Sequence, residues 1–437
     1  MSVLLILKLK KIIYSGENIG NDLSFQFDVK GQVARAKTRI SSGQHKSFNK
    51  VLFHGTFVEG SVSLPISVVI TEEDPVFHDT GSGSTNFNVP LQEFEPQTHS
   101  FNANVIASGG DKGKTATFTF MLEADVHVLK VELNNGASQT VNPDDKVFII
   151  PDPLMPQLIA KVVPTISGSG LNAKWKLETT YPRRGTLDDK AFPATGFKTL
   201  AIDQHWAIYT EFNNEFFGGD ATLTYEIDGC AQQTLEFKIH GQNPDESTAK
   251  SYIQSNQGIH WYAWAIGQHE SRQGTAVYNQ FNTTTSFQDE PNFGPPDGWG
   301  MFQLDSASGL QITTEIVWNW KENVDTAILH LGSIRSEVQA YFDAVQRTYP
   351  SEYEAPPVTY TAPGTSTAVP YLDAANIQLY NGASVVENLQ NPSGVTSLYR
   401  SCWKFHPTNP SGQRWEFIPN SNDYVKKVID EYEGNVP

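Results

Sequence analysis

The sequence predicts a multidomain protein in which two all-β sandwiches are followed by a mostly α domain. Three observations predict it. The chain has 437 residues, which at roughly 150 residues per domain makes two to four domains. Apolar and polar residues alternate with period two through the first half, the signature of half-buried strands. Beyond Pro244 the apolar spacing lengthens to about 3.6, the period of a helix with one buried face.

Composition sets the first limits. Apolar residues make up 39% and charged residues 18%, too rich in core-formers for a disordered chain. The net charge of −17 excludes nucleic acid as a partner, because phosphate backbones are bound by clustered Lys and Arg. Cys230 and Cys402 fall in different domains, so no disulfide framework is expected. No stretch is long and apolar enough to span a membrane.

The first domain covers residues 1–123. Met1 to Lys11 reads as a strand, with Lys8, Lys10 and Lys11 following the apolar run. A secretory signal places its charges before such a run, so the expectation is a protein made in the cytoplasm without a signal peptide. Leu23, Phe25, Phe27 and Val29 alternate with polar neighbours, as do Val62, Leu64, Ile66, Val68 and Ile70, and later Phe118 and Phe120. The opening, from Leu4 through Lys37-Thr38-Arg39 to Ser47-Phe48-Asn49-Lys50, faintly resembles C2-type sandwiches. The calcium-ligating aspartates of that family are not evident, so no calcium is expected.

The second domain, residues 124–244, reads as an immunoglobulin-like sandwich. Trp206, Ile208, Thr210 and Phe212 alternate, Ala221 to Ile239 form a hairpin about Asp228-Gly229, and Trp175 suits the core. The third domain, residues 245–437, opens on a helix that Ser247 can cap. Trp261, Trp264 and Ala265 share a helical face leading to Glu270. Val324, Ile328, Leu331, Val338, Phe342 and Val345 line one side of a long amphipathic helix. The stretch Ala355 to Pro370, rich in Pro and Thr, reads as a surface loop.

The chemistry-bearing residues cluster in this third domain. Glu270-Ser271 closes a helix, and Gly298-Trp299-Gly300-Met301-Phe302-Gln303-Leu304-Asp305 follows some thirty residues later. Asn323-Val324, Leu379-Tyr380-Asn381-Gly382-Ala383 and Asn422-Asp423-Tyr424-Val425-Lys426-Lys427-Val428 complete the set. In this order the motifs resemble the lysozyme-like superfamily, in particular lytic transglycosylases and goose-type lysozymes. The resemblance covers less than half of the chain. It implies a lysozyme-like domain cutting the MurNAc-GlcNAc β-1,4 bond of peptidoglycan, with Glu270 as general acid and then base.

Physical chemistry supports Glu270 separately. A carboxyl in the last turn of a helix faces the negative end of the dipole, and aromatic neighbours add desolvation; both hold the proton on. The second carboxylate decides the reaction, because an inverting hydrolase needs one to hold water, whereas a lytic transglycosylase can use the muramyl 6-hydroxyl. Asp305, Asp297, Asp289 and Glu290 are the candidates, and the resemblance puts Asp305 first. The resemblance further implies that Ser271, Gly300, Met301, Gln303, Tyr380, Asn381 and Tyr424 shape the sugar site. Trp299, Trp403 and Trp415 could stack on sugar faces. His260 and His269 lack a metal-ligating spacing, so neither a metal nor a cofactor is expected.

From residue 250 onward 10 Lys and Arg stand against 19 Asp and Glu, while peptidoglycan is itself anionic. Long-range steering is then unfavourable. The expectation is a delivered antibacterial or phage lysis effector acting on the cell wall, in the periplasm of a target cell or after secretion. Its sandwiches would engage a secretion or injection apparatus, and an immunity protein would be its counterpart. The rival readings are a chitinase and a non-catalytic wall-binding or structural tail protein.

Overall fold

The first strand, β1 (Val3–Gly16), is apolar on both faces because it is buried on both. Val3, Leu5, Leu7 and Leu9 point into the core of the first sandwich, while Leu4 and Ile6 join the core of the second. The computed structural model describes residues 3–432 apart from 58–59, 74–77, 93, 109–110, 138, 166–169, 182–186, 188 and 421–422. Met1 of the anticipated first strand and Asn422 of the last motif lie outside the described residues.

The remaining strands of this N-terminal β-sandwich are β2 (Asp22–Val29), β3 (Gln32–Arg39), β4 (His45–Phe57), β5 (Ser61–Glu72), β6 (Thr80–Pro90), β7 (Gln97–Ile106) and β8 (Thr115–Val128). They run in the order β3-β2-β5-β6-β7-β8-β1-β4. The link between β6 and β7 holds only at Gly81↔Val105 and Ser82↔Asn104, so the sheet folds over there into two four-stranded layers. Glycine permits the crossing: a Cβ on Gly81 would stand 2.3 Å from the Asn104 carbonyl oxygen, and one on Gly83 2.5 Å from the Ala103 Cβ. Between the layers, Phe25, Phe27, Phe101, Phe118 and Phe120 pack largely edge to face.

The second region carries β9 (Lys130–Asn135), β10 (Gln139–Val141), β11 (Lys146–Ile149), β12 (Leu158–Val163), β13 (Asn172–Thr180), β14 (Lys190–Phe192), β15 (Lys198–Ala201), β16 (His205–Ala207), β17 (Gly219–Ile227) and β18 (Gln233–Gly241). One sheet orders β10-β9-β12-β16 and the other β11-β18-β17-β13-β14, with β15 also on β13. Trp175 is fully buried between them, and β17 and β18 form the hairpin about Asp228-Gly229. The alternation read through Thr210 stops at Ala207, where the chain turns into a 3-10 helix at Ile208–Glu211. Burial of Trp206, Ile208 and Phe212 survives because a tight turn can bury the same side chains.

From Glu246 onward helices dominate: α1 (Glu246–Asn256), α2 (Ala263–Glu270), α3 (Thr314–Trp318), α4 (Trp320–Thr348), α5 (Tyr371–Tyr380) and α6 (Tyr424–Glu431). The cap of α1 is Asp245, not Ser247: its carboxylate accepts from the Thr248 amide, and from the Ser247 and Thr248 hydroxyls. Those bonds pull its pKa down to about 2. Four two-stranded hairpins interleave with the helices: β19 (Phe293–Gly294) with β20 (Gly298–Trp299), β21 (Thr359–Thr361) with β22 (Ala368–Pro370), β23 (Val385–Gln390) with β24 (Thr396–Ser401), and β25 (Trp403–Phe405) with β26 (Trp415–Phe417). The stretch 355–370 is therefore partly a hairpin, not only a loop.

The helical region is welded to the second sandwich. Phe281, Trp299, Val317 and Trp318 belong to the sandwich's own hydrophobic cluster. Gly218 and Gly241 admit them, since Cβ atoms there would stand 2.5 Å from the Trp318 ring and 2.1 Å from the Phe281 ring. Around this contact Lys146 pairs with Asp289 at 3.0 Å, and Trp320 donates to the Pro151 carbonyl at 2.6 Å.

Candidate active site

Glu270 ends α2, whose residues Ala263 to Gly267 are all buried. Ser271 is its C-cap, and both its amide, at 3.2 Å, and its hydroxyl, at 2.6 Å, donate to the Gly267 carbonyl. Amphipathic α6 lies beside α2, burying Tyr424, Val425, Val428 and Ile429. Gln268 and Arg272 both bind Glu431, clamping the two helices. The clamp places the Tyr424 hydroxyl against Glu270 Oε1, to which it donates a short hydrogen bond.

Protein encloses the Glu270 carboxyl except towards a cleft of about 440 Å³, whose wall it forms. Burial pushes its pKa up, opposed by the Tyr424 hydroxyl and by the Lys427 ammonium. Burial likewise raises the hydroxyls of Tyr424 and Tyr380, which are therefore donors and not phenolates.

The facing wall is the segment Gly298–Asp305. Two fully buried amides hold it: Gln280 Oε1 accepts from the Met301 amide at 3.0 Å, and Asn323 Oδ1 from the Phe302 amide at 2.9 Å. Gly300 is required by its positive φ of 72°, and a Cβ there would stand 2.5 Å from Asn323 and 2.6 Å from Gln280. Its glycine serves packing, not approach of a sugar. Gln303 lines the cleft, its Nε2 donating to the Gly300 carbonyl at 2.7 Å. Phe302 packs under Gly267, and its carbonyl accepts from the Tyr380 hydroxyl at 2.6 Å, tying α5 to the same segment.

The cleft gathers Glu270, Gln303, Asp305, Tyr380 and Asn381 from positions far apart in the chain. Asp305 does not cap a helix, because α3 begins only at Thr314; Oδ1 closes a turn by accepting from the Ser308 amide and hydroxyl, both at 2.7 Å. Asp289 and Asp297 do not line the cleft. Asp289 is committed to Lys146 at the sandwich seam, and Asp297 accepts from the Ser306 hydroxyl at 2.7 Å. Glu290 is buried beside Tyr181, whose hydroxyl lies 3.4 Å from it.

Other candidates turn out to support the fold. Met301 is fully buried in the helical core, and Ser271 is buried behind α2. Trp299 offers no sugar platform: it sits in the seam core, with Phe293 and Tyr181 edge-on to its ring. Trp403 and Trp415 pack with Phe405 and Phe417 over α4 and α5. Tyr424 reaches the site through its hydroxyl alone.

Sequence reasoning missed the contribution of α4. His330, Ile334 and Glu337 stand one turn apart on one helix face and line the cleft, His330 with its pKa lowered by burial and partly restored by Asp305. Their spacing was visible, but the same helix carries a longer apolar stripe that dominates its pattern. Arg400, on β24, was missed as well, as were Gly294 to Pro296 at the hairpin turn.

No family model matches the chain, and no curated protein matches it either. Among solved structures, human GIVD cytosolic phospholipase A2 bound to methyl γ-linolenyl fluorophosphonate is similar at 12% identity and a TM-score of 0.21, over 62% of this chain and 38% of that one. A structure of extended synaptotagmin 2 that comprises an SMP domain and a tandem pair of C2 domains is similar at 10% identity and a TM-score of 0.18, over 53% of this chain and 49% of that one. The chain thus spans well under two thirds of either. Neither is lysozyme-like, so the resemblance to lytic transglycosylases and goose-type lysozymes is withdrawn. Its motifs are short, and packing accounts for several: Ser271 ends a helix, Gly300 clears two amides, and Asn323 braces backbone.

Proposed function

We propose that the chain is a glycosidase that cleaves the β-1,4 bond between N-acetylmuramic acid and N-acetylglucosamine in peptidoglycan, with Glu270 giving its proton to the bridging oxygen. One observation carries the reading: a half-buried carboxyl whose pKa is raised by desolvation opens onto a polar cleft. Glycoside cleavage needs such a group, because the leaving oxygen must be protonated near neutral pH. The amides of Gln303 and Asn381 suit sugar hydroxyls and acetamido groups. Asp305, on the same cleft, is the group that would hold a water. Oδ2 is left for this role, since Oδ1 serves Ser308.

The acidic charge of the chain weakens capture of an anionic polymer from solution. Delivery to the wall compensates, and the two sandwiches serve it in this reading, which makes the protein an antibacterial or phage lysis effector. Digestion of purified sacculi, followed by mass spectrometry, tests the proposal. Disaccharide muropeptides are expected from the native protein and not from Glu270→Gln. Reducing ends would indicate water held by Asp305, and 1,6-anhydro ends the muramyl 6-hydroxyl. Intact sacculi after incubation with folded native protein would sink the reading.

A further inference from the structure

Among the described residues the cleft is lined by the acids Glu270, Asp305 and Glu337 and by a single arginine, Arg400. Among the described residues Arg400 has no carboxylate partner, although the three acids line the same cleft. Its place on the β23–β24 hairpin explains why. Val385 and Leu389 are buried, and Glu387 accepts from the Tyr341 hydroxyl at 2.7 Å, so this face of the hairpin packs on α4. Alternation turns Val386, Leu398 and Arg400 outward. Val386 is paired directly with Arg400 in the antiparallel register, and Leu398 lies two residues along the same strand. Val386 is 58% and Leu398 61% exposed.

A free guanidinium with aliphatic side chains on either side, at the edge of an otherwise acidic cleft, fits a carboxylate carried on a short apolar substituent. A neutral glycan offers it hydrogen-bond acceptors but no charge to pair with, and charge-assisted bonds are the stronger. We infer that Arg400, with Val386 and Leu398 beside it, reads the carboxylate-bearing branch of the muramyl sugar and so sets specificity against neutral N-acetylglucosamine polymers. The inference rests on the glycosidase reading of the cleft. The carboxylate can come from the peptide stem or from the lactyl group of a sugar that has lost its stem.

Three soluble probes separate these sources: glycan fragments with peptide stems, the same fragments after amidase treatment, and N-acetylglucosamine oligomers. Binding is measured by calorimetry to Glu270→Gln and to Glu270→Gln/Arg400→Ala, so that no turnover is needed, and cleavage is measured with native protein and Arg400→Ala. Arg400→Ala is expected to weaken binding roughly 10-fold or more for one or both carboxylate-bearing probes, raising KM there with little change in kcat, and to leave the neutral oligomer unaffected. The probe that suffers names the source. Equal effects on all three probes, or none on any, overturn the inference. Arg400-dependent binding without cleavage of any probe by native protein would instead overturn the glycosidase reading and keep the carboxylate site. Because Arg400 is exposed, the variant is expected to keep the native circular dichroism spectrum.

Discussion

At the scale of single residues, activity turns on Glu270 and its hydroxyl partner. Replacing it with Gln keeps shape and removes the proton, and general acids typically contribute 10²- to 10⁴-fold, so turnover is expected to fall at least ~10²-fold in a muropeptide-release assay. The same variant should gain stability. A carboxyl whose pKa is raised in the fold binds its proton more tightly folded than unfolded, so its contribution is present at low pH and is lost as pH rises through the folded value. Urea midpoints should therefore fall over that window in the native protein and stay flatter in Glu270→Gln. Tyr424→Phe deletes a bond that favours the ionised form. The alkaline limb of its pH–rate profile is expected to move to higher pH, and an unmoved limb would count against the assigned contact. Sequence made Glu270 legible through its position at a helix end. It could not show Tyr424 as the partner, because that contact joins residues from helices far apart in the chain.

At the scale of elements, the cleft wall 298–305 depends on backbone that only glycine supplies. Gly300→Ala meets both a positive φ and two buried amides. It is expected to destabilise the protein by about 2–4 kcal/mol in denaturant unfolding. A second prediction concerns the sandwich strand that bears His240. Burial first, and then the Lys146 ammonium, push this imidazole down to about 4, with Asp289 opposing. The fold keeps it neutral while the unfolded chain protonates near 6.5, so stability present above that value is lost as pH falls towards 4. Between pH 7 and pH 5 the native protein should lose about 2 kcal/mol that His240→Leu does not lose. The strands and α4 were readable because each repeats one period over many residues. The hairpins β21–β22, β23–β24 and β25–β26 escaped notice because three to six residues hold too few repeats of a two-residue period. The 3-10 turn after β16 escaped because it buries the same residues as a strand.

At the scale of the whole molecule, the helical region and the second sandwich share one core. Trp318 is almost fully buried in it, with Tyr181 edge-on at 5.5 Å. Trp318→Ala is expected to cost about 3–5 kcal/mol, and a fragment starting at residue 245 would expose Phe281, Trp299 and Trp318 together. Such a fragment should unfold without a cooperative transition, and a sharp calorimetric peak from it would contradict the shared core. Sequence divided the chain at a change of period, but it could not reveal that aromatic residues beyond that change complete the sandwich. A period reports the partner layer's existence and not its identity. Charge acts at this scale too. With a net charge of −17 facing an anionic polymer, kcat/KM on peptidoglycan is expected to rise as salt screens repulsion up to about 0.15 M.

The decisive measurement is the titration of the Glu270 carboxyl. With carboxyl-¹³C-labelled glutamate in the chain, the resonance absent from Glu270→Gln identifies this group. A midpoint clearly above the ordinary glutamate value of 4.5 is expected. A midpoint at or below that value would mean that the carboxyl has already lost its proton at neutral pH, and Glu270 could not be the acid.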